Sequence, residues 1–307
     1  MKATSRTDFW RFFEERTAIL ESEGRWGTAS NYAKAERSFR RYCGDGPLGL
    51  RSITPDLIEG YNRHLYERGL IRNSVSQYNR VLRAVYNEAV RRGLVRDADP
   101  FRGVYTGVDR TEKRALGERD LARIASFRPD GGTMELARDL FLFSYAACGM
   151  AFVDMAYLRK GDITGDTIIY YRRKTGSRIC LRLEPAARRI IMKYSSRTEG
   201  SPYVFPILGK LTGREAYRRF TSALAEYNRA LRKLSVQAGV PHVSSYVPRH
   251  SWATAARNSG ADISTVSEAL GHRSEQTTRI YLASFDRRKI ERVNKRLVDR
   301  LKVFGFL

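Results

Sequence analysis

Ser245-Tyr246-Val247-Pro248-Arg249-His250-Ser251-Trp252-Ala253-Thr254, then Glu268-Ala269-Leu270-Gly271-His272, then Thr277-Thr278-Arg279-Ile280-Tyr281 are the stretches that decide how this chain is read. Each lies in or beside a helical pattern, over 245–258, 263–270 and 274–282. Each delivers one side chain able to act on a charged substrate: the guanidinium of Arg249, the imidazole of His272 and the phenol of Tyr281, nine residues beyond that imidazole. Taken singly they read as packing. Tyr281 is one of 17 tyrosines, and His272 after Gly271 reads equally as a loop histidine. Only the set, in this order and spacing, points to chemistry.

The charge outside these stretches names the kind of partner. The chain has 307 residues, 56 of them Lys or Arg against 33 Asp or Glu, a net charge of +23. That is too basic for an ordinary metabolic enzyme. Up to residue 105 there are 19 basic and 13 acidic residues, and after it 37 and 20, so the excess lies mainly in the second part. Arg outnumbers Lys 45 to 11, and the planar guanidinium fork suits repeated phosphate recognition. A polyanion is the natural partner. Hydrophobic content of 42% excludes a disordered basic tail, and the length fits two domains.

The apolar run from Leu140 to Val153 is too short to span a bilayer, and Met1-Lys2-Ala3-Thr4-Ser5-Arg6 opens no signal-peptide core. Cys43, Cys148 and Cys180 are too few and scattered for a disulfide framework or a cysteine zinc site. No P-loop, dinucleotide fingerprint, HExxH motif or suitably spaced carboxylate pair is present. The expectation is a cytoplasmic, nucleoid-associated protein that uses no metal and no cofactor, leaving a protein nucleophile and cationic stabilisers to do any chemistry.

The periodicities predict a mainly α fold with a small antiparallel β-sheet. Residues 1–105 read as a helical bundle. Phe9, Phe12, Phe13, Ile19 and Leu20 recur at helical spacing, as do Tyr32, Ala35, Phe39 and Tyr42 after Thr28 as a cap. Pro55 opens a third helix, and Asn73 or Ser74 caps a fourth. Residues 106–114 lack a period and read as a linker, with a second domain over 115–307. There, helices are expected over 118–127, 134–148, 184–194, 213–238 and 287–301 as well as the three named above. Thr167-Ile168-Ile169-Tyr170-Tyr171 and the alternating 178–183 read as strands, which makes Arg172-Arg173-Lys174-Thr175-Gly176-Ser177 a hairpin tip.

The quoted stretches resemble the catalytic region of the tyrosine recombinases, or phage-type integrases. That family's pattern is His-x-x-Arg-His, then Leu-Gly-His, then a Tyr nine residues on. Arg249-His250, Leu270-Gly271-His272 and Tyr281 match it in order and spacing. The resemblance extends over the whole chain, since the family has an N-terminal helical core-binding domain and a hairpin bearing a catalytic Lys. It implies Tyr281 as nucleophile, Arg249 as phosphate clamp, His272 as a phosphate hydrogen-bond donor and Lys174 as general acid, with Arg172, Arg173 and Arg178 as DNA contacts. The chemistry is reasonable on physical grounds. A tyrosine esterified to a 3′ phosphate expels a 5′ hydroxyl and stores the bond energy, so the reverse step rejoins DNA without ATP.

Two departures stand out. Tyr246 takes the place of the family's first His in this motif; it retains a hydroxyl but no positive charge near neutrality. The family's first catalytic Arg corresponds to Ala151 in Gly149-Met150-Ala151-Phe152-Val153-Asp154-Met155, or in some mobile-element relatives to Cys148. Either Arg173 or Arg178 substitutes, or the protein is a weak or inactive recombinase-derived DNA-binding protein. The implied partners are double-stranded DNA, three further copies of the chain in a homo-tetramer on two synapsed duplexes, and accessory DNA-bending proteins, with no membrane. The apolar positions Ile290, Val293, Leu297 and Leu301, with the tail Val303-Phe304-Gly305-Phe306-Leu307, fit an oligomerisation segment. A type IB topoisomerase would share the nucleophile but not the integrase-like arrangement.

Overall fold

The computed structural model describes residues 8–109, 114–129, 131–272, 274, 276, 278 and 279. The chain divides into two compact units, Met1–Thr111 and Glu112–Leu307. Tyr281, the end of the helix expected over 274–282, the helix expected over 287–301 and the apolar tail lie outside the described residues.

The first unit contains α1 (Phe9–Ser22), α2 (Trp26–Cys43), α3 (Pro55–Glu67) and α4 (Arg72–Arg91). Asp8 caps α1 by accepting from Arg11 N–H, and Thr54 caps α3 ahead of Pro55. The apolar faces meet in an aromatic core, where Phe9, Phe13, Phe39 and Tyr61 lie edge to face with ring centroids 4.9–6.0 Å apart. A buried amide pair, Asn62 and Asn79, exchanges hydrogen bonds of 2.8 and 3.1 Å across α3 and α4.

Two expected caps are displaced. Thr28 lies inside α2, which starts at Trp26, and Asn73 lies inside α4, which starts at Arg72. Asn73 instead clasps the backbone of Asp109, accepting from its N–H at 2.7 Å and donating to its carbonyl at 3.1 Å. Ser76 donates to Gly107 O, and Asn79 donates to Tyr105 O at 3.1 Å. Residues 105–109, without any period of their own, are thus pinned along α4. Their order comes from α4 side chains rather than from local pattern.

The second unit contains α5 (Glu118–Ser126), α6 (Gly132–Ala146), α7 (Phe152–Tyr157), β1 (Ile163–Thr164), β2 (Thr167–Tyr171), β3 (Arg178–Arg182), α8 (Pro185–Lys193), α9 (Gly213–Gln237), α10 (Val247–Asn258) and α11 (Ile263–Ala269). The apolar helix α6 sits at its centre against α8, α9 and α10. The sheet is antiparallel in the order β1-β2-β3, with Tyr170 opposite Ile179 and Ile168 opposite Leu181. A mainly α fold with a small antiparallel sheet is therefore what forms. The apolar run 140–153 is not one helix. After Ala146 the chain reverses through Cys148 (φ 53°) and Gly149 (φ 73°), and restarts as α7. No helix among the described residues is long and apolar enough to cross a membrane.

Candidate active site

Three local devices bring the site together in the second unit. The first is the reversal after α6. Gly149 N–H donates to Ser144 O at 2.8 Å, and Ser144 Oγ donates to Met150 O at 2.7 Å. The left-handed turn leaves the Gly149 carbonyl facing α10. The second is the start of α10, where Pro248 sets the first turn and Arg249 follows it, only 2% exposed. The third is the end of α11. Asp262 caps its start, and at the other end Gly271 turns the chain at φ 62°.

A helix ends with unsatisfied carbonyls and a partial negative charge, which cations relieve. Here two guanidiniums do so. Arg249 donates through Nη2 to Leu270 O and through Nη1 to Gly149 O at 2.9 Å. Arg172, from the residue just after β2, donates through Nη1 to Gly271 O at 3.0 Å. Thr175 Oγ1 donates to the same carbonyl at 3.3 Å, so the hairpin tip is fastened to the α11 turn. Beneath the tip, the buried carboxylate of Asp154 accepts from Arg173 N–H at 2.9 Å, and its other oxygen lies 3.9 Å from Arg172 Nε. Burial raises the Asp154 pKa, opposed by the Arg173 N–H and the nearby arginines.

His272 stands at the mouth of this arrangement. Its Nε2 is 3.4 Å from Arg249 Nη2, and its Nδ1 is 2.8 Å from Thr278 Oγ1. Burial first, then the positive charges of Arg249, Arg172 and Lys174, push its pKa down to about 4. The imidazole is therefore neutral at physiological pH and carries one ring proton. A guanidinium N–H can only donate, so the Arg249 contact favours Nε2 as acceptor and the proton on Nδ1.

The remaining candidates are distributed unevenly. Lys174 is exposed at the hairpin tip, close enough to act electrostatically on His272. Tyr246 is 48% exposed just before α10, its ring 6.0 Å from that of His250. His250 is buried, with its backbone N–H on Tyr246 O, and Trp252 packs beside Ala253, Val266 and Leu270. Arg173 is exposed and lays its guanidinium over the Tyr157 ring, 3.8 Å from the centroid. Arg178 is exposed on β3. Ala151 and Cys148 bring no cation, and the Cys148 thiol has its pKa raised by burial. Arg172, expected among the DNA contacts, is 6% exposed, and the sequence reading assigns no role to Asp154, 3% exposed. A signal for Arg172 existed: Ile168, Tyr170 and Arg172 share the inward parity of β2.

Both units match known families. Residues 8–104 match the phage integrase SAM-like domain, and residues 116–288 match the model of the phage integrase family. Tyrosine recombinase XerC of Bacillus pumilus is 24% identical over 271 residues, covering 83% of this chain and 85% of that protein. Tyrosine recombinase XerD of Rhizobium meliloti is 26% identical over 298 residues, covering 90% and 91%. Among solved structures, a lambda integrase dimer bound to a core site superposes with a TM-score of 0.64 at 17% identity, over 88% of this chain and 93% of that one. The Tn1549 transposon integrase in complex with a circular intermediate DNA gives 0.65 at 14% identity, over 94% and 99%. These structural likenesses speak for the fold, while the family match, running through Arg249, His272 and Tyr281 across more than half of the sequence, gives the motif spacing its meaning: the chain belongs to the phage integrase family of tyrosine recombinases.

Proposed function

We propose that this protein is a site-specific DNA recombinase that cleaves and rejoins duplex DNA through a 3′-phosphotyrosyl link on Tyr281. The observation that carries the reading is the buried Arg249, fixed on two carbonyls and set 3.4 Å from His272. A guanidinium held in this way costs no reorganisation when negative charge grows on the non-bridging phosphate oxygens. The Tyr281 oxygen attacks phosphorus as the bond to the 5′ oxygen breaks. The phenolic proton passes to solvent water, and Lys174 delivers a proton to the departing 5′ oxygen. Removing such an acid costs on the order of 100- to 10,000-fold in rate. As the phosphate draws on the Arg249 N–H groups, Nε2 of His272 is freed to carry the ring proton and donate to the phosphate. The Thr278 hydroxyl, able to donate as well as accept, supports either tautomer. Tyr246 adds a hydroxyl at the rim.

In the first unit, Lys34, Arg37 and Arg41 of α2 share a hollow with Arg68, Ser74 and Tyr78, which suits it to gripping the DNA backbone. One of the matched structures is a lambda integrase tetramer bound to a Holliday junction, and we carry that assembly over to this chain as a homo-tetramer on two duplexes.

The test is a nicked duplex that traps the covalent intermediate. Wild-type protein is expected to form a protein–DNA adduct that Tyr281→Phe abolishes. A protein that binds its site tightly yet forms no adduct would instead be a recombinase-derived binding module, a reading favoured by the lack of a cation at Ala151 and Cys148.

A further inference from the structure

We propose that Arg172 is the second phosphate-binding cation of the active site, filling the role that Ala151 and Cys148 leave vacant. This rests on the recombinase reading above. Its basis is where the chain puts the three arginines of the hairpin. Successive residues of a strand point to opposite faces. Ile168 and Tyr170 are buried, so the next residue of that parity, Arg172, enters the interior, while Arg173 and Arg178 stay exposed. Arg173 is drawn further aside by its stacking on Tyr157. Of the cations proposed from sequence to replace the missing one, both are exposed, whereas Arg172 is buried and fastened to the turn that presents His272.

The position is built rather than incidental. Arg172 and Arg249 are anchored on consecutive carbonyls, Gly271 O and Leu270 O, and so flank the same turn that presents His272. Gly271 leaves room for this: a Cβ there would meet Ile179 Cδ1 at 2.7 Å and Arg172 Cδ at 3.1 Å. Asp154 Oδ2 lies 3.9 Å from Arg172 Nε, in α7, the helix that follows the cation-free Ala151 position. Arg172 Nε and Asp154 Oδ2 each lack a hydrogen bond among the described residues, and Arg172 Nη2 likewise makes none there. A buried guanidinium spending one N–H on a carbonyl retains donors for a bidentate grip on an oxyanion. Burying such a charge is costly unless it is matched, and one carboxylate at 3.9 Å matches it only loosely. An incoming phosphate completes the pairing. Asp154 is then a positioning residue: it holds the hairpin through Arg173 N–H and sets the height of Arg172.

The experiment uses the full chain and nicked duplexes carrying a site that the protein selects from random-sequence DNA, with the nick stepped through successive positions. The scissile phosphate is supplied either natural or as a methylphosphonate, in which a methyl group replaces one non-bridging oxygen and removes its charge. Arg172→Ala is expected to cut adduct formation on natural phosphate by about 100- to 1,000-fold, the range typical for loss of one oxyanion donor. Its affinity for unnicked site DNA should remain within about threefold by our estimate, since one of many phosphate contacts is removed. On methylphosphonate, where less charge needs stabilising, its rate is expected to approach that of wild type, and Arg172→Lys should be intermediate on natural phosphate. Arg173→Ala should show no such selective rescue. Wild-type rates in Arg172→Ala would overturn the proposal and leave the recombinase reading standing. An inactive Arg172→Ala without methylphosphonate rescue would also overturn it, since Arg172 would then serve only the fold. Absence of any adduct from wild-type protein would remove both readings together.

Discussion

His272 concentrates the electrostatics of the site in one side chain. Its imidazole titrates near 4 in the folded protein, against about 6.5 when unfolded. Between those values the unfolded chain binds more protons, so stability falls as pH drops from about 6.5 towards 4 and is insensitive to this group above that window. Thermal unfolding at pH 7.5 and pH 5.0 tests this. Wild type is expected to lose more Tm between the two than His272→Gln does, and equal losses would count against the depressed value. In the mechanism proposed above, the same neutrality leaves the positive charge at the phosphate to arginine and Lys174 rather than to the histidine.

Turns carry much of the construction, and two glycines show how. At Gly149 a Cβ would lie 2.9 Å from Arg249 Cα, backbone that has nowhere to retreat, at φ 73°. Gly149→Ala should cost more than the roughly 1–2 kcal/mol of left-handed strain alone and should lower DNA cleavage with it. Gly239 is a fair comparison, since it has φ 62° but no atom within 4 Å of an added Cβ. Gly239→Ala should show the strain alone in denaturant unfolding and leave cleavage unchanged. If both variants lost the same stability and the same activity, the close approach of the α6 reversal to α10 would not matter. The hairpin obeys a similar logic. Its strands were legible because 167–171 is β-branched and aromatic and 178–183 alternates apolar with polar residues, but the fastening of its tip to Gly271 depends on a partner 99 residues away in sequence.

Across the whole molecule, the net charge of +23 is the dominant physical property. Each phosphate neutralised releases counterions, so a protein making about six to ten such contacts loses on the order of 10³- to 10⁵-fold in affinity between 50 and 200 mM salt. Binding of duplex DNA measured over that range should show a slope of this size. A flat response would mean that the excess charge does not face DNA. The helices of both units were legible in the sequence, since apolar stripes at helical spacing are local signals. The attachment of residues 105–109 to α4 was not, because aperiodic backbone is ordered there by side chains of Asn73, Ser76 and Asn79.

By itself the sequence determined the family, the fold class and the motif residues Arg249, His272 and Tyr281, because those depend on residue type and short-range spacing. It also showed that a cation was missing from Ala151 and Cys148. Which arginine enters the site was decided only by the tertiary structure. Arg172, Arg173 and Arg178 are equivalent in charge and lie within seven residues of sequence, and they are separated by strand parity, by the Tyr157 ring that holds Arg173 aside, and by the carbonyl of Gly271 that holds Arg172 in. Burial and charge pairing act through space, and neither is written in the spacing of neighbours along the chain.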